Sequence, residues 1–180
     1  MKIKNFVLVV LASIFLCNCS HVSEKNNTKV TYELIKQQAN GMVSLRLANA
    51  GYYNDTKNPS YNTAEWNVVI SSPGAFEVWL SSSTRDTSKL NYPNSVRVNL
   101  PDSQLAVIPE CDKVIRNSND VSYPYFRADS YMGSVYFDEP GEYNIQVISE
   151  KALAFTTETQ TISDSDESKL LSLTLSPMTR

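Results

Sequence analysis

The sequence predicts an all-β chain: one domain in which about eight antiparallel strands build a two-sheet sandwich. Two observations carry this. From Val30 onward apolar residues recur with period two, and no helical period is sustained. Two ribbons, one turning at Pro73-Gly74 and the other at Pro140-Gly141, each present one apolar face and need a partner layer to cover it.

At the start of the chain, Lys2 and Lys4 precede an apolar run from Phe6 to Leu16 that only Ser13 interrupts. The run has the length of a signal-peptide core and falls short of the roughly 20 residues needed to span a bilayer. With Leu16 three residues before Cys19, the segment resembles a bacterial lipoprotein signal. Cys17 fits less well, because bulky Leu16 stands immediately before it, where such signals carry a small residue. The alternative is a plain secretory signal with incidental cysteines. The resemblance implies a leader over 1–18, an acylated Cys19, and a polar tether over 19–29 ahead of the domain at 30–180. It also implies a membrane partner reached through the lipid anchor. Ser20, in place of Asp after Cys19, favours the outer membrane. Each buried acyl CH2 contributes about 0.8 kcal/mol, and stable anchoring takes more than one chain.

Composition narrows the function. The formal charge is −3; loss of Lys2 and Lys4 leaves 14 Lys+Arg against 19 Asp+Glu, or −5. A mildly acidic chain with its charge spread out argues against a nucleic-acid partner. The single histidine, His21, falls in the tether. The domain therefore lacks the Ser-His-Asp and Cys-His arrangements and any histidine metal site. Cys111 reads as a small buried apolar residue. No cofactor and no metal are expected.

The strands follow in order. Val30 to Gln38 is either a strand or a short helix. Val43, Leu45 and Leu47 alternate with Ser44 and Arg46, Val96, Val98 and Leu100 with Arg97 and Asn99, and Leu171, Leu173 and Leu175 with Ser172 and Thr174. Each reads as a strand with one buried face. In the first ribbon Trp66, Val68 and Ile70 share a face, as do Phe76, Val78 and Leu80; Val135, Phe137, Tyr143, Ile145 and Val147 match them in the second. Pro fixes φ near about −65° and Gly accepts positive φ, so both ribbons read as type II hairpins stacked face to face. Trp66 is expected in the core. Trp79 points the other way, with Val69, and is either covered by a loop or an open platform.

The stretch Ala64 to Leu80 resembles the W-x-V-x-V-x-x-x-G-x-Y-x-V segment of galactose-binding-like jelly rolls. Gly133 to Tyr143, followed by Leu171 to Pro177, resembles their closing strands. These modules include the family 6 and family 35 carbohydrate-binding modules. The resemblance covers roughly Val43 to Pro177 and implies a jelly-roll-like sandwich that binds glycans without catalysis. Many such modules hold a structural calcium; here Glu33 stands alone and Ser172 and Thr174 occupy the last strand, so calcium is not expected.

Sugar recognition in such folds pairs an aromatic ring with amide and carboxylate groups in loops at one end. Gly51 to Glu65 offers Tyr52, Tyr53, Tyr61 and Asn62; Asn117 to Tyr131 offers Tyr123, Tyr125 and Arg127. These seven are the candidate ligand residues. The alternative is that the rings pack on the domain edge. A glycan or another surface ligand is the expected partner. A structural or assembly lipoprotein that binds an envelope protein is the second reading. A glycan hydrolase is the third, although Glu65, Glu110, Asp112 and Asp129 form no recognisable acid/base pair. Ser163 to Glu167 lacks the Gly and terminal Glu of a cation loop.

Overall fold

A computed structural model describes residues 34–153 and 168–178. Cys19 with the leader and tether, His21, Glu33 and the Ser163–Glu167 segment lie outside the described residues. The architecture is a single-domain β-sandwich. Its strands are β1 (Ile35–Lys36), β2 (Val43–Arg46), β3 (Gly51–Tyr53), β4 (Thr63–Ile70), β5 (Gly74–Thr84) and β6 (Val96–Leu100). β7 (Ser103–Val107), β8 (Lys113–Ile115), β9 (Phe126–Phe137), β10 (Gly141–Ile148) and β11 (Lys169–Pro177) complete it. The number exceeds eight because β1, β3 and β8 are only two or three residues long.

The first sheet has the order β1-β4-β10-β6-β7, with β3 also paired to β4; the second has the order β2-β11-β5-β9-β8. Every pairing is antiparallel except β1 on β4. Over its described part, Val30 to Gln38 therefore resolves as a strand. Gln37, just beyond β1, accepts the Ser71 and Ser72 amides at 3.0 and 2.7 Å, and donates to the Gly41 carbonyl at 2.8 Å.

Alternation decides what fills the core. Val43, Leu45, Trp66, Val68, Ile70, Phe76, Val78 and Leu80 are all buried, as are Val96, Val98, Ile145, Val147, Leu173 and Leu175. Each fully buried Val, Leu, Ile or Phe contributes roughly 1.5–3 kcal/mol relative to an exposed one. Phe76 and Phe137 meet edge to face, with ring centroids 5.5 Å apart.

The Pro-Gly ribbons are arches, not hairpins. β4 pairs with β10 (Trp66 opposite Ile145, Ile70 opposite Gly141), whereas β5 pairs with β9 (Phe76 opposite Val135). The chain crosses from one sheet to the other at Ser71–Pro73 and again between β9 and β10. The two ribbons thus interlock and exchange strands instead of stacking as separate layers. In an arch each strand rolls about its own axis at the corner, and its apolar side chains then face those of the following strand across the core. Alternation is identical in a hairpin and an arch. The corner glycines differ from a type II turn: Gly74 has φ +142°, and Gly141 is not among the positive-φ residues.

β5 ends in Ser81-Ser82-Ser83-Thr84, all buried. The polar groups are met from both sides. Ser82 exchanges a hydrogen bond with the Tyr92 hydroxyl at 2.8 Å, and Ser168 donates to Thr84 at 3.3 Å. On the outer side Ser81 donates to Asp129 Oδ1 at 2.8 Å. Burial raises the Tyr92 phenol well above the usual tyrosine range, although the Ser82 bond opposes it.

Candidate functional site

The register gives the sandwich two unlike ends. The arches at Pro73 and Pro140 and the β6–β7 turn lie at one end. The segments around residues 47–62, 85–95 and 116–125 lie at the other. Both tyrosine-rich stretches therefore reach the same end. They flank it from opposite faces, because the first joins the first sheet through β3 and β4 and the second joins the second sheet through β8 and β9.

In the first stretch β3 pairs with the start of β4, Tyr52 opposite Ala64 and Tyr53 opposite Thr63. Ala64 is buried, so Tyr52 turns inward with it. Its hydroxyl donates to the Leu47 carbonyl, and burial raises its pKa to about 12. Tyr53 takes the opposite face and is 64% exposed. Asn62 is buried; its Oδ1 accepts the Asp55 amide at 2.8 Å and its carbonyl accepts the Ser149 amide at 2.9 Å. Asp55 Oδ1 in turn accepts the Lys57 and Asn58 amides, both at 2.9 Å. Tyr61 is 49% exposed and its ring lies 5.0 Å from the Arg97 guanidinium carbon. In this stretch Tyr53 and Tyr61 present rings to solvent, while Tyr52 and Asn62 hold the loop.

The second stretch lies across the outer face of the second sheet, pinned by charge. Asp120 accepts Arg46 Nη2 at 2.8 Å and Arg127 Nη1 at 2.9 Å. Burial works against the Asp120 charge, but the hydrogen bond from Arg127 and the positive charge of Arg46 outweigh it and hold the carboxyl below its ordinary value. Arg127 also grips Asp129 with two bonds, Nε to Oδ1 at 2.7 Å and Nη2 to Oδ2 at 3.0 Å. This planar fork is the geometry that Arg supplies and Lys cannot. Arg127 is thus committed to the loop's own structure. Tyr123 is 91% exposed. Tyr125 is half-buried, with the Arg85 guanidinium carbon 4.9 Å from its ring centre.

Two cationic partners were not among the expected site residues. Arg85 follows β5, and its Nε is buried without a hydrogen-bond partner among the described residues. No local pattern links it to Tyr125, 40 positions away. Arg97 was legible as the outward residue of the Val96–Leu100 strand; its pairing with Tyr61 was not.

Trp79 and Val69 do not form one patch. β4 and β5 belong to different sheets, so the two side chains lie on opposite outer faces. Trp79 is partly covered: Lys113 Nζ sits 3.5 Å from its ring centre, Tyr131 packs at 5.2 Å, and its indole N–H donates to Glu77 at 3.0 Å. Cys111 is half-buried. Burial raises its thiol pKa, and Asp86 and Asp112 raise it further.

No protein-family model and no curated protein matches this sequence. Among solved structures, an α-L-fucosidase from Vibrio sp. strain EJY3 aligns with TM-score 0.63 and 22% identity over 80% of this chain. The aligned part is 24% of the fucosidase, so the chain spans about a quarter of that protein. The insecticidal crystal protein Cry2Aa aligns more loosely (TM-score 0.48, 10% identity, 81% of this chain and 22% of that one). So does a Podospora anserina GH26-CBM35 β-(1,4)-mannanase (TM-score 0.45, 10% identity, 78% and 28%). The fucosidase match shows a shared β-sandwich fold.

Proposed function

We propose that this chain is a non-catalytic glycan-binding protein held at the bacterial outer membrane by a lipid on Cys19. The observation that carries the reading is the set of open rings at the loop end: Tyr53, Tyr61 and Tyr123 are large aromatics left in solvent, and Asn and Asp side chains lie between them in sequence. An exposed ring accepts the apolar face of a sugar, and neighbouring amides and carboxylates take its hydroxyls. The sandwich shared with part of a fucosidase supports the same reading by analogy of fold.

Binding of an envelope protein through the sheet face finds less support. Val69 and Trp79 face opposite ways, and Lys113 and Tyr131 already pack on the indole. Hydrolysis finds less still: Glu65 lies on the first sheet and accepts Gln146 at 3.2 Å, while Asp129 is gripped by Arg127 on the second. Screening the full chain on a glycan array tests the proposal. A bound glycan whose affinity falls about tenfold in Tyr123→Ala or Tyr61→Ala supports it. An array with no bound glycan, together with specific capture of an envelope protein, overturns it.

A further inference from the structure

Arginines in this sandwich fall into two kinds. Arg46 and Arg127 are neutralised by Asp120 and Asp129 on the outer face of the second sheet. Arg85 is not. It leaves β5, the middle strand of that sheet, directly after Thr84, which stands opposite Phe126 of β9. Tyr125 precedes Phe126, so Arg85 and Tyr125 stand side by side just beyond the last paired residues. The guanidinium carbon lies over the Tyr125 ring, 4.9 Å from its centre.

This guanidinium has a platform but no acceptor. Arg85 is half-buried, and its Nε is buried without a hydrogen-bond partner. Nη1 and Nη2 keep some contact with solvent, and neither bonds to a described residue. A buried donor left unmade is costly, more so on a charged group. The acids of this end are engaged elsewhere. Asp86, next in the chain, accepts the Ser88 amide at 2.8 Å and the Ser88 hydroxyl at 2.5 Å. Asp112 accepts the Tyr131 amide at 2.7 Å, and Asp120 and Asp129 are gripped by Arg127. Glu150 Oε2 lies 3.5 Å from Asn94, while its Oε1 is buried and unpaired, so it does not meet Arg85 either.

A guanidinium lying on a phenol ring is held in one plane, and its N–H groups form a flat fork that matches a carboxylate or a sulfate. Half-burial strengthens the pull on an anion relative to open water. The other tyrosine stretch repeats the arrangement: Arg97 lies over Tyr61 at 5.0 Å, also without an ion pair among the described residues. The arch end has the opposite sign. Its β6–β7 turn and β9–β10 arch carry Asp102, Asp138, Glu139 and Glu142 and no Lys or Arg. An approaching anion is therefore repelled at the arches and drawn to the loops. We infer that the loop-end site takes an acidic saccharide, whose carboxylate or sulfate ester bonds to Arg85 where it lies on Tyr125. The inference rests on the glycan-binding reading and names the class of glycan. The open Tyr123 ring belongs to the same loop, two residues before Tyr125.

Calorimetric titration of the full chain at neutral pH tests this with three probes: a neutral glucose oligomer, a glucuronate oligomer and a glucose oligomer bearing sulfate esters. At least one acidic probe is expected to bind about tenfold more tightly than the neutral one, and more weakly as salt is added. Which of the two binds tells carboxylate from sulfate. Arg85→Gln should weaken the acidic probe about tenfold and erase its advantage over the neutral one. Arg85→Lys keeps the charge without the fork and should retain part of that advantage. Melting curves confirm that both variants fold. Neutral and acidic probes binding alike, neither acidic probe binding, or an acidic advantage that survives Arg85→Gln in the folded variant overturns the inference. If the glycan array still yields a neutral ligand in that case, the loop-end reading stands without it; an empty array removes both.

Discussion

The indole N–H of Trp66 donates to the carbonyl oxygen of Arg46 at 2.9 Å, joining β4 of one sheet to β2 of the other. The Arg46 side chain, by contrast, reaches outward to Asp120 and is 59% exposed. One residue therefore offers a backbone contact across the core and a side-chain contact in solvent. Trp66→Phe should cost about 1–3 kcal/mol, because it strands the carbonyl and leaves a void. Arg46→Ala should cost less than about 1 kcal/mol, as exposed ion pairs do. Urea unfolding of both variants checks the order.

Arg127 and Asp129 should behave as a unit. Asp129 is buried, so Arg127→Ala leaves a carboxylate with only Ser81 for company, at a cost of about 3–5 kcal/mol. Arg127→Ala combined with Asp129→Ala should cost well under the sum of the two single changes. A double-mutant cycle measures that coupling, and simple additivity would remove the pair from the account of the loop.

Asp120 makes stability depend on acid. Its carboxyl is held below the ordinary aspartate value by Arg127 and Arg46 against the pull of burial. A depressed folded pKa contributes stability above the unfolded value of about 3.9 and loses it as pH falls through the folded one. Asp120→Asn should therefore lower stability near neutrality and flatten the decline below about pH 4. Unfolding curves of both proteins across that range would show the two profiles converging in acid.

Tyr52 acts at the other limit. Its folded pKa is raised to about 12 by burial. The stability this brings is complete below the unfolded tyrosine value of about 10 and fades as pH climbs towards 12. Tyr52→Phe should lose about 1 kcal/mol near neutrality, the worth of the bond to Leu47, and should abolish that share of the alkaline decline. Denaturation monitored by circular dichroism between those limits tests it.

Much of the sandwich was legible because a strand with one dry face writes period two into its sequence. Every apolar position assigned inward in the Val43, Trp66, Phe76, Val96 and Val135 segments is buried, apart from Leu100 and Tyr143, which are half-buried. What could not be read was which strand lies beside which. Trp66–Ile70 and Phe76–Leu80 alternate in the same way whether the Pro-Gly corner folds one sheet back or crosses to another. β7 and β8 escaped notice because edge strands such as Ser103–Val107 bury little. The site was legible only by composition. Tyr52 and Tyr53 are adjacent and chemically identical, yet one props the core and the other faces water, since a short strand runs through a stretch read as loop.

The place of β11 bears on how the chain is made. Among the described residues β2 has a single neighbour in its sheet, and that neighbour is β11, the strand farthest from it in sequence. During synthesis β2 must wait until β11, more than a hundred residues later, has been made before it can dock. Pairings this distant in sequence fold slowly, on the scale of milliseconds to seconds. A nascent chain that has not yet made β11 would therefore still be open along one side, and exposed to proteases until that strand docks.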